Sequence, residues 1–254
     1  MAKVSVVTPL HNGAAYIAQN IRSVREQTFG DYEHLIIDNM STDGGAKIAA
    51  GFAREDSRIR LLSNDAVADA GATRNVGIAA ASGRYIAFLD CDDTWYPEKL
   101  ERQIEAMEAN HLAFSWTSYD VSDADGNILR TQVAREKITY RDFVLKRAQI
   151  GCLTAVWDVT YLGKFEMPVG DVHEDFCLWS DLIRTADIYG AAYGGIPQSL
   201  ARYRTHLGGK SASKVSAAKM HWRSCRQHLK LGLIPASYCF VHYALNALRD
   251  RAKV

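Results

Sequence analysis

Between Val4 and Asp90 short β-branched runs alternate with helical periodicities. "VSVVTP" leads into Ile17, Ile21 and Val24 at helical spacing, and "HLIID" into a Gly/Ala-rich helical stretch. "IRLLS" precedes a second small-residue helix, and "YIAFLD" closes the series. This βαβα order predicts an α/β fold with a mostly parallel sheet and helices on both faces. In such a sheet ligands sit beyond the carboxyl ends of the strands. Farther on, Pro97 opens a predicted helix with Leu100, Ile104 and Met107 at i, i+4 and i+7. "DADGN" at 123–127 reads as a hairpin turn. It is no calcium loop, because the first and twelfth ligand positions would be Val121 and Gln132. Phe176, Trp179, Leu182 and Ile183 predict another helix, opened by Asp171, Glu174 and Asp175.

Composition and charge divide the chain. It has 254 residues, 48% of them hydrophobic, enough for a sizeable core. The net charge is only +1, but residues 202–254 hold 11 of the 30 Lys and Arg and one of the 29 acids, Asp250. Residues 1–201 therefore keep 19 basic and 28 acidic groups, and the two parts stand at −9 and +10. We draw a domain boundary near 205, with residues 1–205 as the main domain and 206–254 as a basic, amphipathic helical C-terminal segment that seeks anionic surfaces.

That segment includes "LGLIPASYCFVHYALNAL" at 231–248, which lacks Asp, Glu, Lys and Arg. Pro235, Ser237, His242 and Asn246 make it a poor membrane span, while Tyr238, Phe240 and Tyr243 between basic flanks suit a peripheral interfacial helix. Packing on its own domain, or on a twin subunit in a homodimer, is the alternative. The five cysteines have no CxxC spacing, which fits a reducing cytoplasm, and the N-terminus reads as a first strand without a signal peptide. The expected location is cytoplasmic, peripheral on the inner face of the membrane.

Nucleotide-binding fingerprints are missing. No two glycines stand two residues apart, so GxGxxG is absent, and "GGKS" at 208–211 would need a glycine where Arg204 stands. No nucleic-acid-binding module is recognisable, and nucleic acid is not expected as a partner.

Candidate chemistry lies instead at predicted strand ends. "FLDCDDTWYP" carries Asp90, Asp92 and Asp93 off an apolar strand, and such like charge is costly unless a cation or hydrogen-bond donors offset it. Asp38 ends "HLIID", where a carboxylate could accept a base imide or ribose hydroxyl, or simply close an Asx turn. Arg74 and Asn75 near a helix start could meet a diphosphate. Asp175 could act as a general base or merely begin a helix.

Five stretches in order resemble the inverting family 2 glycosyltransferases of GT-A fold: "VSVVTPLHN", "IIDNMSTDG", "GATRNVGIAAASGRYIAFLDCDD", "HED" and "YRTHLGGKSAS". The resemblance implies a mixed, mostly parallel sheet and makes residues 1–205 the nucleotide-sugar-binding catalytic domain. The likeness is nearest to bacterial capsule, O-antigen and teichuronic-acid transferases. It implies transfer from a nucleotide-diphosphate sugar, UDP-linked by expectation, to a saccharide or lipid-linked saccharide hydroxyl in cell-surface polysaccharide synthesis. Thr8, Pro9 and Asp38 would hold base and ribose, and Arg74 the nucleotide or diphosphate. Asp90 and Asp92 match the DxD pair, with Asp90 nearer the ribose and Asp92 on Mn²⁺ or Mg²⁺. Asp175 matches the catalytic base, and His206 a histidine that reaches metal or diphosphate in some relatives. Glu174 and Trp179 would lie on the acceptor side. Asp93 is expected to serve the turn or cap the helix near Pro97. Met40 departs from the resemblance, standing where glycine is frequent. A sugar nucleotidyltransferase is the alternative enzyme, although "TPLHNGAAY" lacks its basic triphosphate loop; a non-catalytic saccharide-binding module is the other alternative.

Overall fold

Strand β1 (Val4–Leu10) is the hub of the sheet, pairing in parallel with β2 (Tyr32–Asp38) and with β4 (Tyr85–Phe88). β3 (Ile59–Ser63) continues the parallel half beyond β2. The computed structural model describes residues 2–64, 67–205 and 214–251, with backbone alone at 214 and 247–251. The order β3-β2-β1-β4 reverses direction of growth at β1 and β4, so the carboxyl ends of these two strands flank the crevice where such sheets bind ligands.

The other half is mixed, a feature that the βαβα pattern did not contain. β8 (Val156–Asp158) lies antiparallel on β4, and β6 (Leu112–Ser122) antiparallel on β8. β9 (Ala192–Arg204) runs parallel to β6, and β5 (Thr94–Trp95) pairs antiparallel with its end. The hairpin expected at 123–127 joins β6 to β7 (Ile128–Gln132). Among the described residues nine strands form one sheet.

Strand periodicity explains the layers. On β1 and β2, Val7, Leu35 and Ile37 face α3 (Ala70–Ala80) and α7 (Glu174–Tyr189). Val4, Val6, Leu10 and Ile36 face α1 (Ile17–Arg25), α2 (Gly45–Glu55) and α4 (Lys99–Ala109). Helix α3 is built from small residues because it lies very close to the sheet. A Cβ at Gly77 would stand 2.5 Å from Val7 Cγ1 and 2.7 Å from Ile37 Cδ1. The regular part of helix α4 starts at Lys99, just after a turn over Pro97 and Glu98 that the Lys99 N–H closes on the Tyr96 carbonyl at 3.1 Å.

Two short helices, α5 (Tyr140–Val144) and α6 (Val159–Leu162), precede α7. After β9 come α8 (Lys214–Arg223), a π-helical turn (Ser224–His228) and α9 (Leu233–Arg251). Cys225, Ala236 and Cys239 pack against Val144 and Leu145, so the inner face of α9 rests on this same chain. Among the described residues no helix is long and apolar enough to cross a membrane.

Candidate active site

The loops after β1 and β2 are laced into one platform. The Asn39 N–H donates to the Leu10 carbonyl at 2.7 Å, while its side chain exchanges hydrogen bonds with the Ala68 backbone at 2.8 and 2.9 Å. Asn64 donates to the same Asn39 oxygen at 3.2 Å, so one buried amide organises the ends of three strands. Asn12 Oδ1 accepts the Thr42 N–H at 2.9 Å, and Asp43 bridges the Ala14 and Gly45 N–H groups at 2.7 and 2.9 Å. Those two N–H donors hold the Asp43 carboxyl below its ordinary range. Asp38 stands at the platform edge, with Oδ1 accepting the Ser41 N–H at 3.3 Å. Met40 follows at φ +59, a left-handed conformation that favours glycine.

Past β4 the chain turns sharply. The Asp93 N–H bonds the Asp90 carbonyl at 2.9 Å, and Asn20 Nδ2 donates to the carbonyls of Asp90 and Asp93 at 2.8 and 3.1 Å. This turn leaves the Asp90 and Asp92 side chains partly exposed and puts Cys91 between them. Burial, then Asp92 and Asp90, push the Cys91 thiol up to about 12, so it is a neutral filler. Of the two roles expected of Asp93, it serves the acid turn and does not cap α4. Its buried Oδ1 accepts the Arg204 N–H at 2.9 Å and ties the acid turn to the end of β9. Burial and the two neighbouring aspartates hold its carboxyl well above the ordinary range.

Arg74 joins separate segments. Its guanidinium, almost wholly buried, reaches Asp90 Oδ1 at 2.5 Å and Glu174 Oε1 at 3.3 Å. Burial opposes the charge, but the Asp90 and Glu174 carboxylates keep Arg74 protonated well above the ordinary arginine range. Two side chains of α3 fix the approach. Asp69 caps the helix through Ala72 N–H at 2.8 Å and also takes the Gly170 N–H at 2.8 Å. Asn75 exchanges two hydrogen bonds with the Met167 backbone at 2.9 and 2.7 Å, so the loop before α7 is stitched to α3.

Asp175 lies in the first turn of α7, and its Oδ1 accepts the Phe176 N–H at 2.6 Å. Cys152 lies in a single 3-10 turn (Cys152–Thr154) between α5 and β8, and burial raises its thiol well above the ordinary range. The geometric link between the end of β4 and the first turn of α7 is Arg74, beside the β1/β4 crevice.

Two expected side chains do not belong to an open site. Trp179 is a core residue and not an acceptor contact: it is fully buried, with ring centroids 5.5 Å from Phe114 and 5.9 Å from Phe88. Apolar periodicity placed it on α7 but could not tell its core face from its rim. Thr8 points between the sheet and α1, where its hydroxyl meets His34 Nε2 at 2.9 Å, leaving only backbone for a ligand. Pro9 is partly exposed beside it. His206 lies outside the described residues. Sequence reasoning gave no role to Asn39, Cys152 or Arg204. Arg204 Nε donates to the Asp92 carbonyl at 3.2 Å and Nη2 to Gln19 at 2.6 Å, clamping the acid turn from β9. Its place in "YRTH" was the available signal.

A sheet covered on both faces, with carboxylates collected beyond β1 and β4, is the GT-A architecture of glycosyltransferases. The fold is similar to TarS of S. aureus in its crystal structure with UDP-GlcNAc, with a TM-score of 0.69, 17% identity, and coverage of 94% of this chain and 70% of that one. It is also similar to the mannosyltransferase PcManGT of Pyrobaculum calidifontis in complex with GDP-Man and Mn²⁺, with a TM-score of 0.65, 17% identity, and coverage of 95% and 69%. The chain belongs to glycosyl transferase family 2, whose sequence pattern matches residues 5–156. It is 37% identical to TuaG of Bacillus subtilis, a glycosyltransferase assigned to teichuronic acid biosynthesis, over 98% of this chain and 97% of that protein. Identity is also 37% to WfgD of Escherichia coli, a UDP-Glc:alpha-D-GlcNAc-diphosphoundecaprenol beta-1,3-glucosyltransferase, over 86% and 83% of the two chains.

Proposed function

We propose that this glycosyltransferase inverts the anomeric centre of a UDP-linked sugar while transferring it to a hydroxyl of a saccharide carried on a polyprenyl diphosphate. The carrying observation is that buried Arg74 pairs with Asp90 just past β4 and with Glu174 in the first turn of α7, the turn that also carries Asp175, beside the topological switch point. TuaG, WfgD and the UDP-GlcNAc complex of TarS support the donor and acceptor classes. Residues 1–205 are taken as the catalytic unit and 206–254 as its appended segment.

In this reading Asp38 and the backbone at Thr8 and Pro9 receive the nucleoside. Arg74 positions Asp90 and Glu174 by holding both, and its charge faces the diphosphate region. Asp175 is the general base: the Phe176 N–H fixes one carboxylate oxygen, and the other takes the proton of the acceptor hydroxyl. The acceptor oxygen bonds to the anomeric carbon as the bond to the diphosphate breaks, so one displacement inverts the centre. Glu174 lines the acceptor side of that base.

The donor set at the acid turn fits a hard divalent cation. Asp90 and Asp92 offer carboxylate oxygens, and among the described residues no group of three or more His, Cys, Asp or Glu could hold an ion alone. Magnesium-type ions commonly combine one or two carboxylates with substrate phosphate and water oxygens. Asp92 and Asp90 would hold Mn²⁺ or Mg²⁺, which when bound offsets negative charge on the departing diphosphate. Titration calorimetry with UDP tests this directly: Mn²⁺ should raise UDP affinity at least about tenfold in the native chain and not in Asp92→Ala. Equal affinity with and without Mn²⁺ would overturn the metal role.

A further inference from the structure

Helix α9 is apolar on both sides. Its inner face, with Ala236 and Cys239, is buried on Val144 and Leu145. Its outer face carries Ile234, Tyr238, Val241 and Leu245 at i, i+4, i+7 and i+11, continued by Leu233. These five are 46–86% exposed, a continuous apolar stripe turned to solvent. The run 231–248 contains no charged residue, yet Lys219, Arg223, Arg226 and Lys230 precede it and Arg249, Arg251 and Lys253 follow, with Asp250 the lone acid of residues 202–254.

We propose that this outer face of α9 is a docking surface for an anionic phospholipid bilayer, lying in the interface with its apolar stripe at the acyl boundary. The charge pattern decides the occupant. A second copy on the same stripe would bring two segments of net +10 together, whereas anionic headgroups complement them. The helix does not qualify as a span, with Pro235, His242 and Asn246 along it, so it lies on the membrane and does not cross it.

Docking there would set the reaction site at the surface. Ser224 Oγ accepts the His173 N–H at 2.9 Å, and His173 Nε2 lies 3.0 Å from the Ala217 carbonyl. Arg223 also pairs with Asp171. α8 and the π-helical turn, on which α9 packs, are therefore bonded to the residues immediately before Asp175.

Vesicle flotation tests the assignment. With vesicles of phosphatidylcholine containing about a third phosphatidylglycerol, the bound fraction should be at least about tenfold above that on phosphatidylcholine alone. The double variant Ile234→Glu, Val241→Glu alters two side chains that are 86% and 54% exposed, so its thermal melting should match the native chain. Its vesicle binding should fall about tenfold or more. Equal binding to both vesicle types, or undiminished binding by the double variant, overturns the proposal. So does a native dimer that the double variant dissociates while still floating with vesicles, which would give the stripe to a second copy. No step of the test requires turnover, so it stands apart from the catalytic reading.

Discussion

Asp90, Asp92, Arg74 and Asp175 were legible as candidates because their residue types and order carry a pattern, and in the fold Arg74 joins Asp90 to Glu174, the neighbour of Asp175. What the sequence could not show is that Arg74 spends its donors on Asp90 and Glu174, since those contacts cross 16 and 100 residues of chain. Met40 shows how an oddity in the sequence acquires a cause. At φ +59 a side chain costs about 1–2 kcal/mol, while glycine loses about 0.5–1 kcal/mol more backbone freedom on folding. Strain should win narrowly, because Met40 is half exposed and has little packing to lose. Met40→Gly is expected to stabilise the chain by up to about 1 kcal/mol in urea unfolding. A loss of stability would mean that the thioether packs better than its exposure indicates.

At the scale of elements, the first four strands and their helices followed from alternating periodicities, because β1, β2 and β4 are buried on both faces and edge strand β3 still buries Ile59 and half-buries Leu61 and Leu62. The β6–β9 pairing was not legible: it joins residues about 80 positions apart and shifts register three times, which local pattern does not encode. Helix α3 links element to site, since its depth against β1 and β2 places Arg74. Gly77→Ala gains about 1 kcal/mol in helix propensity, but a Cβ 2.5 Å from Val7 Cγ1 forces helix and sheet apart at a cost of about 1–3 kcal/mol. The overlap should prevail. The expected result is lower stability by chemical denaturation together with weaker UDP binding, because Arg74 moves with the helix. A more stable variant with unchanged binding would contradict this account of α3.

Among the described residues two buried neutral histidines tie the stability of the whole molecule to pH. Burial outweighs Asp56 and lowers His34 to about 3; burial, Lys146 and His173 lower His221 to about 3 as well. Unfolded, each protonates near 6.5, so below that pH the unfolded chain binds more protons and stability falls as pH falls. Each contributes about 1.4 kcal/mol per pH unit between roughly 6 and 3, so the two together give a slope near 3 kcal/mol per unit. Urea midpoints measured at pH 7 and at pH 5 should differ accordingly, and equal midpoints would show that the histidines can be protonated in the folded state. The sequence hid this effect, since nothing local distinguishes His34 from an exposed histidine; its place on the inner side of β2 does.

In the proposed mechanism Asp175 takes the acceptor proton in a single inverting displacement. Single-turnover transfer by Asp175→Asn, compared with its donor affinity, tests it most directly. The expected result is a transfer rate at least about a hundredfold lower, with UDP-sugar affinity within about twofold of the native chain. Transfer at close to the native rate would contradict the account and send the search for the base elsewhere.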